Sequence, residues 1–210
     1  MRSPGELTVE CGKDRVAIEA SRLSEWRAMM LYTEVGNSYN HLLDVNAGGG
    51  EILFYFRSAG YRVEGWSKSQ KEVESLRESG YPTRLVDLDR DSLDGRYDII
   101  ACCGLLEYSQ DPAAIIRKLG AILNPAGRIF IATPNDYAIT NSLWTSNEKK
   151  TRFSPARTRE LVEVAGLHVE KVLYQPVFPL TGMGLNKISQ FLADHFPILF
   201  CTSVMNLVKK

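Results

Sequence analysis

A chain of 210 residues is long enough for one domain to bury its own core without disulfides or a structural metal. Its 25 Lys and Arg balance its 25 Asp and Glu, which excludes a global field that would draw it to nucleic acid or to an anionic membrane. Cys11, Cys102, Cys103 and Cys201 show no metal-ligand spacing, and the vicinal pair sits in an apolar run, so they read as reduced thiols with no metal. The first residues lack an apolar signal core, and no run reaches the roughly 18 uninterrupted apolar residues of a spanning helix. A cytoplasmic protein without stable membrane insertion is expected.

Along the chain, Val16, Ile18, Ala20, Leu23, Trp26, Met29, Met30 and Tyr32 fall mostly at helical spacing and predict a leading helix over 14–33. Residues 1–40 therefore read as a helical extension ahead of the main domain, 41–210, with a single domain overall. The pattern then alternates: strand 41–46, helix 50–59, strand 61–67, helix 69–79, strand 83–87, strand 97–103, helix 111–123 and strand 127–133. Gly60, Gly80 and Gly127 stand where a helix must end and a strand begin. Alternation at this rhythm predicts a parallel sheet with helices on both faces. Strand 97–103 is almost wholly apolar, as a strand covered on both faces must be.

After Pro134 the periodicity lapses through residues 135–151, a length often used for a lid or substrate loop, with Trp144 inside it. Ser154 as N-cap, Pro155 at the first helical position and Gly166 at the end bracket a helix over 155–165. A strand at 168–174, an amphipathic helix near 185–195 and a strand at 202–208 complete the order. The stripe Leu185, Ile188, Phe191, Leu192 and Phe196 suits packing on its own domain or a homodimer contact. Lys187 is the only basic residue of that helix, which argues against a membrane-surface role.

The richest segment is His41-Leu42-Leu43-Asp44-Val45-Asn46-Ala47-Gly48-Gly49-Gly50-Glu51, a buried strand that breaks into a glycine loop and then a helix. Glycines after a strand let backbone approach a ligand closely, and the following helix offers free N–H groups and a positive dipole end. Gly48 and Gly50 provide this, and Asn46 is the non-glycine residue that best tolerates positive φ. A dinucleotide fingerprint needs one more glycine three residues on, where Leu53 or Glu51 stands, so nicotinamide and flavin are disfavoured. At the end of the second strand, where ribose-binding folds place a carboxylate, stands Ser67. A serine there forgoes a charge-assisted contact worth about 1–3 kcal/mol. Glu64 points to the other strand face by alternation.

Further segments follow in order. Val86-Asp87-Leu88 lies after the third strand; Tyr97-Asp98-Ile99-Ile100-Ala101-Cys102-Cys103-Gly104-Leu105-Leu106-Glu107-Tyr108 forms a strand and the turn beyond it. Asp111-Pro112 opens a helix that runs to Leu123-Asn124-Pro125-Ala126-Gly127-Arg128, then come Thr133-Pro134-Asn135, Arg152-Phe153-Ser154-Pro155 and Val164-Ala165-Gly166-Leu167. Together with the glycine loop this ordered series resembles the class I S-adenosylmethionine-dependent methyltransferases, especially the small-molecule group that includes ubiquinone-type methylases. The resemblance implies a Rossmann-like, doubly wound α/β fold: a seven-stranded, mostly parallel sheet with helices on both faces and the last strand antiparallel. It implies S-adenosylmethionine as cofactor, with Asp44, Asn46, Ala47, Gly48 and Gly50 around its methionine moiety. Ser67 would face the ribose, Asp87 and Leu88 the adenine, and Cys103 and Gly104 the end where the methyl group is presented.

The implied activity is methyl transfer to a small, hydrophobic acceptor. Its in-line chemistry needs no fixed catalytic residue, although a hydroxyl acceptor benefits from a base. His41, His168 and His195 sit away from the expected cleft, which leaves Glu107 and Tyr108 as candidates to touch a substrate, with helix-end capping as their other reading. Asp87 likewise has turn capping as its alternative. Departures from the family pattern are Asn46 for glycine, Ser67 for the acid, Tyr108 for histidine and Ala126 for glycine. Asn46 and Ser67 motivate the alternative of a catalytically degenerate protein of this fold that acts as a binding or regulatory subunit. Nucleic acid is disfavoured as substrate, since Leu106-Glu107-Tyr108-Ser109 replaces the Asn/Asp-Pro-Pro-aromatic run used on flipped bases.

Overall fold

The computed structural model describes residues 15–36, 38–136, 151–176, 194–195 and 201–210. Helix α1 (Arg15–Val35) leads into β1 (His41–Asp44), α2 (Glu51–Ser58), β2 (Arg62–Ser67), α3 (Gln70–Glu78) and β3 (Thr83–Leu85). Then come β4 (Tyr97–Cys103), a single 3-10 turn (Leu106–Tyr108), α4 (Pro112–Ile122), β5 (Leu123–Pro134), α5 (Pro155–Val164), β6 (His168–Pro176) and β7 (Cys201–Lys209). The helix expected near 185–195, apart from 194–195, and residues 137–150 of the expected loop, Trp144 included, lie outside the described residues.

One seven-stranded sheet runs β3-β2-β1-β4-β5-β7-β6. Strands β1 to β5 pair in parallel, and β7 inserts antiparallel to both β5 and β6. The fold expected from the alternation is the fold present, with the last strand reversed. Period-two alternation divides each central strand between two cores. Leu43, Ile100, Cys102, Ile129 and Ile131 join α4 and α5 on one face, while Leu42, Ile99, Ala101, Phe130 and Ala132 join α1, α2 and α3 on the other. The leading helix contributes Ala28, Leu31 and Val35 to this second core.

Local chemistry sets the helix starts. The side chains of Ser69, Asp111 and Ser154 each accept from a backbone N–H of the following first turn, the N-cap arrangement that satisfies otherwise orphaned donors. Helix α2 differs: its N-cap is Gly50, left-handed at φ 85°, so its first N–H groups receive no side-chain cap. Among the described residues no helix is long and apolar enough to cross a membrane.

Several boundaries depart from the periodicity by two residues or more: β1 ends at Asp44 rather than 46, α1 runs to Val35 rather than 33 and β6 to Pro176 rather than 174, and the departures at β3 and β5 have identifiable causes. Strand β3 stops at Leu85 rather than 87, because the Asp87 N–H donates to Asp91 Oδ2 (2.8 Å) and turns the chain out of the sheet. Strand β5 begins at Leu123 rather than 127: Leu123 pairs with Tyr97, and the register then jumps so that Arg128 pairs with Ile99. The Asn124-Pro125-Ala126-Gly127 insert bulges at that jump. Asp98 secures this end of the sheet by accepting from the Asn40 and His41 N–H groups (3.1 Å each) and from Asn124 Nδ2 (2.6 Å).

Gly65 fixes how closely the glycine loop approaches β2. It pairs with Asp44, and a Cβ built on it would lie 2.8 Å from Leu53 Cδ1 and 3.0 Å from Ala47 Cβ. Because Leu53 is fully buried and Ala47 is held by its own loop, neither has room to retreat. Gly65→Ala is therefore expected to lower unfolding free energy by about 1–3 kcal/mol, the usual cost of overpacking, as read from urea denaturation midpoints.

Candidate functional site

The residues singled out in the sequence gather at the carboxyl ends of β1 to β4. The Val45 N–H donates to the Ala101 carbonyl (3.0 Å) and the Ala47 N–H to the Trp66 carbonyl (3.1 Å), so the loop is laced to both flanking strands as it leaves the sheet. Gly48 and Gly50 take φ 49° and 85°, left-handed values that favour glycine, and they deliver the chain to the uncapped N-terminus of α2. A side chain at Gly50 would also strike Leu76 Cδ2 of α3 at 2.7 Å.

Asp44 is 1% exposed, and its Oδ1 accepts from the Asn46 N–H at 3.2 Å. Burial pushes its carboxyl up from 3.8 to about 7, with the Asn46 bond opposing the shift and the charge of Glu51 adding to it. Asn46 acts through its side chain. Its Nδ2 donates to the Cys103 carbonyl (2.9 Å) and the Gly104 carbonyl (3.3 Å), tying the glycine loop to the turn after β4.

Ser67 ends β2 and is 3% exposed. Its hydroxyl donates to Glu72 Oε2 at 2.5 Å and accepts from the Ser69 N–H at 3.0 Å. Glu64 lies on the opposite strand face, where its carboxylate accepts from Trp66 Nε1 (2.7 Å) and the Tyr97 hydroxyl (2.9 Å). The Asp87 carboxylate accepts from the Asp89 N–H (3.1 Å), and its backbone carbonyl accepts from the Arg90 and Asp91 N–H groups, so it organises the turn after β3. Leu88 is buried in the core beneath α4, and its carbonyl accepts from Lys118 Nζ (2.8 Å).

At the end of β4, Cys103 and Gly104 meet β5 through the Gly104 N–H to Ala132 carbonyl bond (3.1 Å). Gly104 takes φ 63°, and a Cβ on it would lie 3.9 Å from Glu107 Oε1. Cys102 and Cys103 are free, buried thiols. Burial pushes Cys103 up to about 12, against the opposing charge of Arg27, so neither thiol is an activated nucleophile. Glu107 is 5% exposed on the 3-10 turn, whereas Tyr108 is 36% exposed. His41 begins β1 and His168 begins β6, and His41 tilts against Tyr97 at the end of the sheet away from the loop.

A second set of polar groups borders this end of the sheet and had no signature in the periodicity. Arg27 of α1 donates through Nη2 to Ser203 Oγ of β7 (3.3 Å), and Ser203 donates to the Thr133 carbonyl of β5 (2.9 Å). Thr133 Oγ1 pairs with Thr158 Oγ1 of α5 at 3.0 Å, and Asp136 exchanges bonds with the backbone of Phe153. The only hint is the polar interruption Thr133-Pro134-Asn135-Asp136 of an apolar strand; the partners arrive from far along the chain. A cavity of about 360 Å³ lined by Met30, Val172, Leu173, Tyr174 and Asp194 lies beside β6 and not at the glycine loop. Among the described residues no group of three or more His, Cys, Asp or Glu is placed to hold a metal ion.

This geometry has counterparts in known proteins. A ubiquinone biosynthesis O-methyltransferase of Marinobacter nauticus is 29% identical over 171 residues, 70% of this chain and 68% of that protein. The enzyme of the same name from Bordetella bronchiseptica is 32% identical over 106 residues, 47% of this chain and 44% of its own length. The crystal structure of a SAM-dependent methyltransferase from Archaeoglobus fulgidus superimposes with a TM-score of 0.73 at 15% identity, over 94% of this chain and all of that one. A methyltransferase-domain family model matches residues 16–172, most of the 210, and with the strand order and glycine loop described above the chain belongs to the class I methyltransferase family.

Proposed function

We propose that the protein is a cytoplasmic S-adenosylmethionine-dependent methyltransferase that acts on a small, hydrophobic molecule. The observation that carries this reading is the glycine loop itself. Gly48 and Gly50 in left-handed conformations, an uncapped α2 N-terminus and the buried acid Asp44 converge at the carboxyl end of β1. Backbone N–H groups and a buried carboxyl at one place suit a ligand that carries both a carboxylate and an ammonium group. When bound, the cofactor supplies an activated methyl on a sulfonium, so the protein's share is orientation and exclusion of water. Asp44 and the carbonyls of Cys103 and Gly104 would hold the amino-acid end. Glu107, whose Oε1 would lie 3.9 Å from a Cβ on Gly104, is a carboxylate beside the β4 turn and suits the part of proton acceptor for a hydroxyl substrate. The shared region with ubiquinone biosynthesis O-methyltransferases supports such an acceptor.

A catalytically degenerate binding protein is the second reading, and one specific observation favours it: the Asn46 amide already occupies the Cys103 and Gly104 carbonyls. Titration calorimetry with S-adenosylmethionine and S-adenosylhomocysteine decides whether the loop holds the cofactor, and absence of heat at millimolar ligand would overturn the enzyme reading. Turnover of small phenolic acceptors by the loaded protein then separates enzyme from binding protein.

Two variants probe the same corner. Asn46→Gly frees both carbonyls for the ligand, so S-adenosylhomocysteine is expected to bind twofold to tenfold tighter, the equivalent of about 0.5–1.5 kcal/mol for a hydrogen bond no longer displaced. The Kd by calorimetry checks this.

Asp44 links binding and stability to pH. Its folded-state value, about 7, lies above the unfolded 3.8, so the folded form holds the extra proton and stability falls as pH rises between those values. Asp44→Asn is expected to flatten that slope in urea midpoints taken from pH 4 to pH 8. An ammonium beside Asp44 favours its ionised form, so at pH 6 cofactor binding should release a proton. Calorimetry in buffers of contrasting ionisation enthalpy reads this release, which Asp44→Asn should abolish.

A further inference from the structure

The family pattern places its ribose carboxylate where this chain has Ser67, and the structure shows where the serine proton goes. Ser67 Oγ donates to Glu72 Oε2 at 2.5 Å and accepts from the Ser69 N–H at 3.0 Å. A hydroxyl has one proton and two lone pairs, so Ser67 is left with a single acceptor position and nothing to donate. The carboxylate that reaches the end of β2 belongs to Glu72, in the first turn of α3.

A second, independent feature explains why Glu72 is available. Ser69-Gln70-Lys71-Glu72 reads as a capping box, in which the glutamate side chain would normally fold back onto the serine N–H. Half of the box is present, since the Ser69 hydroxyl accepts from the Glu72 N–H at 3.4 Å. The reciprocal bond is not made: the Ser69 N–H goes to Ser67 instead, which releases the Glu72 carboxylate from the cap and turns it toward β2. Glu72 Oε1 takes no hydrogen bond from the described residues. The β2 end is locked beside the glycine loop by the Ala47 N–H to Trp66 carbonyl bond, so the Ser67–Glu72 pair sits at the strand end that flanks the loop.

We propose that Glu72, oriented by Ser67, is the residue that accepts the ribose hydroxyls of the bound cofactor, replacing the acid absent from position 67. The proposal rests on reading the glycine loop as the cofactor site. It makes Ser67 a positioning residue and moves the ribose contact from the strand end to the following helix.

The test compares S-adenosylhomocysteine with its 2′-deoxy analogue by titration calorimetry on the full chain. Glu72→Gln should weaken S-adenosylhomocysteine binding by about tenfold or more and weaken the deoxy analogue less, since a lost charge-assisted bond matters only where the hydroxyl exists. Adding Ser67→Asp to Glu72→Gln should recover much of the lost affinity by returning a carboxylate to the corner. The proposal is overturned if Glu72→Gln binds S-adenosylhomocysteine as wild type does, or if both ligands lose affinity equally, as a merely structural role would give. Those results leave the cofactor reading standing when the wild type binds; a wild type that binds neither ligand overturns both.

Discussion

The structure depends on the reversal of strand order beside β1. Reading outward, β2 and β3 extend to one side of β1, while β4 and β5 extend to the other. Right-handed crossovers therefore put α2 and α3 on one face and α4 on the opposite face, and the loops after β1 and β4 diverge at the point of reversal. A crevice at that place is a consequence of topology and not of any single side chain. The strands on both sides of it are held mainly by apolar packing, with Asp44 and Ser67 as buried polar residues at their ends, so its walls are well packed before any ligand arrives.

Within that crevice the chain tolerates two costs. Asp44 is buried without a cationic partner among the groups that set its titration, which is why its carboxyl rises to about 7. Asn46 adds a side chain where the family pattern has none, yet its amide closes the crevice by bridging to Cys103 and Gly104. Both features make sense for a site whose charges and acceptors are completed by something else. A buried acid kept near neutrality and a bridge of ordinary amide hydrogen bonds are each reversible at modest free energy.

The fold was legible because it rests on period. Alternation of strand and helix, glycine at helix ends and unbroken apolar runs in β4 and β5 carry the parallel sheet and its two-sided burial, and among the described residues the order of strands and helices read from them is the one present. Among the boundaries that escaped, the early start of β5 and the early end of β3 depend on a bulge against Tyr97 and on an aspartate-capped turn, neither of which leaves a periodic trace. The site was legible only as far as its backbone. The glycines, Asp44 and the strand ends come together because adjacent strands must end together. Side-chain roles were harder: Asn46 reads as a residue chosen for positive φ and turns out to be anchored through its amide, while the Arg27, Ser203, Thr133 and Thr158 chain joins segments that no local pattern links.

Ser67 illustrates why comparison by position alone misjudges a site. Matched column to column, serine for acid is a loss, and a loss at a charged contact argues against a ligand. Matched in space, the acid is displaced by one turn of the next helix, and the serine that took its column now holds it in place. Charge is required at a location, and a strand end followed immediately by a helix offers several backbone positions from which a side chain can reach it. The short Ser67-Lys68-Ser69 connection makes the exchange feasible, because the N-cap serine finds its donor's partner in Ser67 and no longer needs Glu72. A departure from a motif is therefore evidence against its chemistry only when no neighbouring side chain is free to supply the missing group.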